Sequence, residues 1–465
     1  MKPVLLVDIG STYTKVVAVD LAEPRILGTA ASHTTVERDV ALGLNQALAN
    51  LEAKTGRLDF IDRLACSSAA GGLRMVASGL TPSLTEKAAL MACLGAGAKV
   101  VRSFTYALTE QDAAEIKALR PDIFLLSGGT DGGNDKVITH NAGVLAAAEV
   151  DFPIVLAGNQ DAVGRCQALL SGREVYTTGN IMPRLEQLCI GPVQDQVRAV
   201  FLDRIIQAKG LGPVAEQMTL PLIPTPAAVL LAMELLALGT DGMRGIGELV
   251  AVDLGGATTD VYSIAVGEPT VNYTLPPKGI QEPFAKRTVE GDIGMRYSAA
   301  GIIDAVGIEW VVEKSGIATH QVEALVRQFG EVPDTLPNTP ELAALDRTLA
   351  SAALKTAVAR HAGTVATAET YQGSVLAQTG KDLMGIKHLI VIGGAIIHSP
   401  VAGEVAKSAL FDSREPASLR PKQADIYIDR NYVVASLGLL SQKYPREALT
   451  LMKQELKAEG GGARA

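Results

Sequence analysis

The chain opens on apolar runs separated by small polar residues. VLLVDIG, TKVVAVDL and RILGTAASHTT each have the apolar density of a strand, and the breaks between them are only long enough for turns. A helical pattern over about 39–55 follows, then the strand-like RLACSSAAGG, so residues 1–72 read β-β-β-α-β. From residue 73 the rhythm changes. LRMVASGL, AKVVRSFTYAL, DIFLLSGG, PIVLAG and EVYTTG alternate with helical patterns over about 84–96, 110–119, 135–149 and 161–171. Strict alternation with helices of that length predicts parallel βα units, a doubly wound α/β module inserted over 73–182.

A helical stretch over about 184–240 is broken at PLIPTP (221–226), where prolines end helices and stiffen the connection. The first pattern then returns. ELVAVDLGGATTDVYSIAVG (248–267) repeats strand, aspartate, small polar loop and strand at an offset of 253 − 8 = 245 residues. This is one duplication at domain scale, not a solenoid period. Helix-rich sequence fills 291–385, KHLIVIGGAIIHSP gives a buried strand, two glycines and a helix start, and a charged helix over about 445–458 precedes GGGARA, read as a flexible tail. The expected organisation is a first half of domain I (1–72), the inserted module (73–182), a helical connection completing domain I (183–244), domain II (245–440) and a C-terminal helix and tail (441–465).

Composition narrows the setting. A length of 465 residues suggests about three domains. Apolar residues at 48%, aromatics at only 4% and 46 glycines suit an α/β protein with tight strand-to-helix turns. A net charge of −8 speaks against a nucleic-acid partner, which calls for a basic face. With no apolar span of membrane length and no cleavable leader pattern, the expected location is cytoplasmic, with no membrane partner. Cys66, Cys93, Cys166 and Cys189 form no CxxC pair, and the histidines are scattered, so reduced thiols and no metal cluster are expected.

The chemistry concentrates at the two hairpin tips. Asp8-Ile9-Gly10-Ser11-Thr12 and Asp253-Leu254-Gly255-Gly256-Ala257-Thr258-Thr259-Asp260 share one design. As a bare turn, such a tip needs glycine for its backbone angles. As a phosphate cradle, glycine lets backbone N–H groups approach anionic oxygens, hydroxyls add donors, and the aspartate holds a hydrated metal ion. Two tips of one design favour the second reading: heading separate domains across a cleft, they suit a shared Mg²⁺ and the positioning that phosphoryl transfer requires. Gly393-Gly394, after the strand LIVI, lets a nucleoside lie close to backbone. Lys15 and Asp260, just inside their second strands, are further candidates, Asp260 either orienting Thr258 or capping the turn.

In these motifs the sequence resembles the actin, heat-shock ATPase and sugar kinase superfamily, with phosphate-1, phosphate-2 and adenosine motifs in order over 1–72 and about 245–400. One departure is Ala257, where the phosphate-2 loop often carries a third glycine. SGGTDGGN (127–134), RTVEGDIGMR (287–296), the VDIGSTYTK opening and the inserted module narrow the resemblance to the MutL-type accessory ATPases of adenosylcobalamin-dependent glutamate mutase, which are distinct from the mismatch-repair proteins of that name. The resemblance implies two duplicated actin-like (ribonuclease H-like) ATPase domains and a reactivating chaperone that hydrolyses ATP for an adenosylcobalamin-dependent mutase. It places Asp8 and Asp253 at the Mg²⁺ and in catalysis. Gly10, Ser11, Thr12, Gly255, Gly256, Thr258 and Thr259 fall at the phosphates, and Gly393 and Gly394 at the nucleoside. The client mutase and the oligomeric state, a homodimer among the options, stay open.

Two other readings stand beside it. A small-molecule kinase of the same superfamily needs a carboxylate base for its acceptor hydroxyl, and Asp131 and Asp135 are the available candidates. A cobalamin- or nucleotide-binding module without turnover is disfavoured, since no DxHxxG signature of base-off cobalamin binding is present. The glycine-rich SGGTDGGN is open between a ligand loop at a sheet's carboxyl edge and a turn in which Asp135 caps the next helix.

Overall fold

Residues Pro3–Ile9 (β1) are buried at every position, the mark of a strand covered on both faces. β1 pairs antiparallel with Tyr13–Asp20 (β2), which pairs antiparallel with Arg25–His33 (β3). On its other side β1 pairs parallel with Asp62–Ser67 (β4), and β4 with the two-residue strand Ile223–Pro224 (β10), giving the order β10-β4-β1-β2-β3. The crossover helix Val40–Thr55 (α1) buries Val40, Gly43, Leu44, Ala47 and Leu51, a single stripe at helical spacing. The computed structural model describes residues 1–10, 13–34, 40–68, 73–201, 211–270, 274–278, 280–371 and 373–459.

The module that follows is a wholly parallel sheet of Arg74–Gly79 (β5), Lys99–Thr105 (β6), Ile123–Leu126 (β7), Ile154–Leu156 (β8) and Val175–Thr177 (β9), in the order β6-β5-β7-β8-β9. Its helices are Lys87–Gly95 (α2), Glu110–Leu119 (α3), Lys136–Ala147 (α4) and Val163–Leu169 (α5). Side chains along its strands alternate between the two faces. Val76, Phe124 and Leu126 bury one face with Ile138, Ala142 and Leu145 of α4, while Met75, Ala77, Ile123 and Leu125 join one contiguous core with Leu5 and Val7 of β1. α3 starts on a capping box: the Thr109 hydroxyl accepts from Asp112 N at 3.1 Å while Asp112 Oδ2 accepts from Thr109 N at 2.8 Å.

The duplicated half repeats the first plan. After a short ribbon of Gly239–Thr240 (β11) and Met243–Arg244 (β12), Leu249–Leu254 (β13) pairs antiparallel with Thr259–Ile264 (β14). Thr274–Lys278 (β15) comes next in the chain, and then Ala285–Glu290 (β16), antiparallel to β14. Thr364–Thr370 (β17) and Gly373–Thr379 (β18) form a hairpin that makes a three-stranded sheet with β15. His388–Ile392 (β19) lies parallel to β13, and Asp425–Ile428 (β20) parallel to β19. The order β16-β14-β13-β19-β20 matches β3-β2-β1-β4-β10 strand for strand. These are two ribonuclease H-like sheets, with the doubly wound module following the fourth strand of the first. Helices Ala299–Val306, Ile308–Ser315, Thr319–Glu331 and Pro340–His361 cover the second sheet.

The chain divides into two compact units, one of Met1–Leu231, Gly279–Gln281 and Ala435–Glu447, the other of Ala232–Lys278, Glu282–Val434 and Ala448–Ala465. Three readings change. PLIPTP carries strand β10 as well as a break, with Pro224 at the sheet edge, where a missing N–H is tolerated. Residues 364–379, placed in helix-rich sequence, form the β17–β18 hairpin. Asp292, which in VEGDIGMR reads as the N-cap of a helix, does not cap one: the next helix starts at Ala299, and Asp292 accepts from Arg360. GGGARA (460–465) lies outside the described residues. No helix among the described residues is long and apolar enough to cross a membrane.

One buried polar cluster in the second unit has a measurable consequence. Lys381 donates to the carbonyls of Ala265 and Phe284 at 2.7 Å each, and His361 Nε2 meets Ser263 Oγ at 2.8 Å. Lys286 bonds Glu282 at 2.6 Å and the His361 carbonyl at 2.7 Å. Burial, with the Lys286 charge, brings Lys381 down to about 7. The unfolded chain therefore holds a proton that the folded chain has released, and stability should rise as pH climbs from about 7 to about 8.5. Urea unfolding across that range should show the rise in the wild type and its loss in Lys381→Met; parallel curves for the two proteins would refute the assignment.

Candidate functional site

In the first sheet, register aligns Lys15, Asp8 and Cys66 across β2, β1 and β4, and directly paired residues project to the same face. Asp8 is 5% exposed. Its Oδ1 accepts from the Thr225 hydroxyl at 2.8 Å and from the Cys66 thiol at 3.4 Å. Burial, reinforced by the Asp8 charge, pushes the Cys66 thiol well up, so it stays protonated and acts as a donor. At the tip, Gly10 N donates to Tyr13 O at 3.0 Å, and a Cβ at Gly10 would sit 2.7 Å from that oxygen. Glycine is required there by close approach. Ser11 and Thr12 lie outside the described residues.

The second tip has the same geometry. Gly255 N donates to Thr258 O at 3.0 Å, and a Cβ there would sit 2.9 Å from Thr258 O. Asp253 stands two residues before Gly255, as Asp8 stands before Gly10, and is half-buried. Gly256 and Ala257 are exposed. Ala257 is not among the residues with positive φ, so the missing third glycine leaves no strain. Residues 291–297 brace this loop from behind: Met295 N donates to Gly255 O at 3.0 Å, and Arg296 N and Tyr297 N donate to Gly256 O at 2.8 and 3.0 Å. The GDIGMR stretch is therefore a support for the second tip.

Two expected residues are engaged within the protein. Thr259 is fully buried and its hydroxyl donates to Ile293 O at 2.9 Å, which leaves Thr258 as the half-buried threonine of the pair. Asp260 is ion-paired with buried Arg287, Nε to Oδ1 at 2.7 Å, and so ties β14 to β16. It occupies in register the place that Lys15 takes beside Asp8. Gly393 combines a φ of +127° with close approach, since a Cβ there would lie 2.3 Å from Leu254 O; Gly394 has open space around it. Beside the second tip, Arg360 Nη1 bridges Glu290 at 2.8 Å and Asp292 at 2.9 Å. Burial raises the Glu290 carboxyl above its ordinary range against the opposing pull of Arg360. This triad and the Thr225–Asp8 contact had no sequence signal, because their members are scattered along the chain.

The SGGTDGGN loop at the carboxyl end of β7 is tied to neighbouring segments of the module. Asp131 Oδ1 accepts from Gln160 N at 3.0 Å and Asn180 Nδ2 at 2.8 Å, Asn134 Oδ1 accepts from Val137 N at 3.1 Å, and Asp135 pairs with Arg165. Asn134 rather than the Asp135 carboxylate caps α4.

Taken separately, each tip has a donor set that fits a magnesium ion. Mg²⁺ is ordinarily held by one or two carboxylates plus substrate phosphates, without an all-protein cage. Among the described residues no cluster of three or more His, Cys, Asp or Glu could hold a metal alone, and each tip offers one carboxylate ahead of a glycine turn.

The duplicated sheets and paired Asp-x-Gly tips define a protein of the actin, heat-shock ATPase and sugar kinase fold class. A family model described as MutL protein matches residues 4–456. The chain is 43% identical over 461 residues to Protein MutL of Clostridium tetanomorphum, covering 98% of this chain and 99% of that one. It belongs to the MutL protein family. Among solved structures, nucleotide-free acetone carboxylase is similar at 14% identity over 94% of this chain and 70% of that one, with a TM-score of 0.41. The activator of 2-hydroxyisocaproyl-CoA dehydratase from Clostridium difficile with bound ADPNP is similar at 10% identity, over 99% and 100% of the two chains, with a TM-score of 0.32. Xylulose kinase from Bifidobacterium adolescentis is similar at 13% identity, over 99% and 96%, with a TM-score of 0.33. Likenesses of that size carry no weight beside the sheet order itself.

Proposed function

We propose that the chain binds and hydrolyses ATP with Mg²⁺ and uses the cycle to reactivate an adenosylcobalamin-dependent mutase of the glutamate mutase type. The observation that carries the reading is the repeated tip: a carboxylate two residues ahead of a glycine whose N–H closes a turn at 3.0 Å, once in each duplicated half. Membership of the MutL family supports the mutase as client.

In this reading Asp8 and Asp253 are each Mg²⁺ carboxylates that would hold the ion through its waters, and the ion when bound would neutralise phosphate charge. Gly10 and Gly255 close the two turns with their N–H groups, so that Ser11, Thr12, Gly256 and Thr258 line the phosphates with backbone and hydroxyl donors, and Lys15 adds a cation beside Asp8. At the nucleoside, Gly394 leaves open space and Gly393 seats the turn against Leu254. Thr259 and Asp260 serve from behind, holding the second hairpin in shape. Such a site works by positioning and charge stabilisation, with little covalent chemistry for the protein itself. ATP alters affinity for the client only through a difference between two states of the chain.

The test is reactivation. An adenosylcobalamin-dependent mutase inactivated during turnover should recover when this protein, Mg²⁺, ATP and fresh cofactor are supplied together. It should not recover when a non-hydrolysable analogue replaces ATP. Recovery that is independent of ATP, or phosphorylation of a small molecule by the purified protein, would overturn the reading.

A further inference from the structure

We propose that Thr225 is a positioning residue for Asp8, holding one carboxylate oxygen so that the other is presented to the metal; this rests on the reading of Asp8 as a Mg²⁺ carboxylate. Both donors that reach Asp8 among the described residues, the Thr225 hydroxyl at 2.8 Å and the Cys66 thiol at 3.4 Å, load the same atom, Oδ1. With Oδ1 occupied from one side, Oδ2 is the oxygen left for a metal-bound water. Asp8 is 5% exposed and sits on a central strand, so its torsion is set by these partners more than by bulk solvent.

The local chain fixes Thr225 for this task. It follows Pro224, whose pairing with Ser67 places it at the edge of the sheet that holds Asp8, and it begins the helix Thr225–Leu238. Pro224 has a locked φ and is backed by Gly97, which has a φ of +94° and stands where a Cβ would lie 2.7 Å from Pro224 Cβ and 3.3 Å from Ala227 Cβ. Gly97 follows α2 of the doubly wound module. The Thr225 hydroxyl is thus held between a rigid proline and a helix start, with the module as its backing, and 217 residues separate it in sequence from the carboxylate it orients.

Thr225→Val keeps the shape and removes the donor, and Thr225→Ser restores it. The readout is the Mg²⁺ concentration that half-saturates nucleotide binding, by calorimetry with a non-hydrolysable ATP analogue, alongside Mn²⁺ binding followed by electron paramagnetic resonance. Thr225→Val should raise both midpoints about tenfold, the scale of one hydrogen bond to a charged group. Nucleotide affinity in EDTA should stay unchanged, and Thr225→Ser should return to within about twofold of wild type. Thermal melts separate this from misfolding; if Thr225→Val does not fold, Thr225→Ala and the serine variant carry the comparison. Wild-type midpoints in Thr225→Val, with a raised midpoint in Asp8→Asn, would overturn the positioning role and leave the metal reading intact. If wild type and Asp8→Asn both bind nucleotide without regard to Mg²⁺, the reading of Asp8 itself fails, and the role of Thr225 with it.

Discussion

Replacing either tip carboxylate, Asp8→Ala or Asp253→Ala, should weaken Mg²⁺-dependent ATP binding or turnover by a factor of about 10 or more, in keeping with the few kcal/mol that a preorganised charge contributes to phosphoryl transfer. The two substitutions should act alike, because the two carboxylates stand at equivalent places of a duplicated hairpin: Asp8 pairs with Lys15 across β1 and β2, and Asp253 with Asp260 across β13 and β14. Their local costs differ. Asp8 is 5% exposed and accepts from Thr225 and Cys66, so its removal strands two donors; Asn in its place keeps them bonded. Asp8→Asn is therefore the cleaner probe on that side. Calorimetry with Mg²⁺ and with EDTA separates the effects, since a loss confined to the Mg²⁺ condition belongs to the metal and a uniform loss to the fold. Unchanged affinity and hydrolysis in both variants would remove the reading of these carboxylates as metal ligands.

What the sequence made legible follows from where its signals are local. Strands β1 to β9 were readable because each is an apolar run bounded by glycine, proline or polar turn residues, and α3, read at about 110–119, was readable from its helical pattern between two such strands. The two tips were readable because a glycine turn and its aspartate lie within three residues of each other. β10 was hidden because its two residues include a proline, a residue that marks breaks more often than edge strands. The β17–β18 hairpin was hidden by its content: TVATAET and GSVLAQT interleave threonine, alanine and glutamate, with no strong alternation of apolar and polar positions. The partners of the site were hidden by distance. Asp260 meets Arg287 27 residues on, and Asp8 meets Thr225 217 residues on. Neither pairing leaves a pattern in a single sequence, and only the folded sheet brings them together. Lys381 and His361 are the extreme case, since charged and polar residues ordinarily read as surface, yet both are buried.

Deleting residues 73–182 should abolish folding of the first unit and not merely remove an accessory surface. The doubly wound module shares its core with the sheet that carries Asp8. Of the 35 buried residues of that core among the described residues, 16 belong to the module, from Leu73 and Met75 through Ile123 and Val155 to Met182. The 19 that remain would lose a wall of that core. Burying one large aliphatic side chain is worth about 1.5–3 kcal/mol, and a whole domain is stable by only about 5–15 kcal/mol, so exposing even a handful exceeds the margin. The module also backs Pro224 through Gly97, and Arg198 Nη2 donates to Gly95 O at 3.0 Å. The deletion should therefore give insoluble protein, or a soluble chain that binds a hydrophobic dye and lacks the cooperative unfolding transition of the first unit. A truncated chain that melts cooperatively and binds Mg²⁺·ATP with wild-type affinity would show that the module is a separable attachment. If the module cannot be separated, and if the client of the proposed function docks on it, docking bears on the same packed body that places Thr225 against Asp8. Docking can then change nucleotide affinity by shifting a shared core, and by reciprocity nucleotide must change affinity for the client by the same factor.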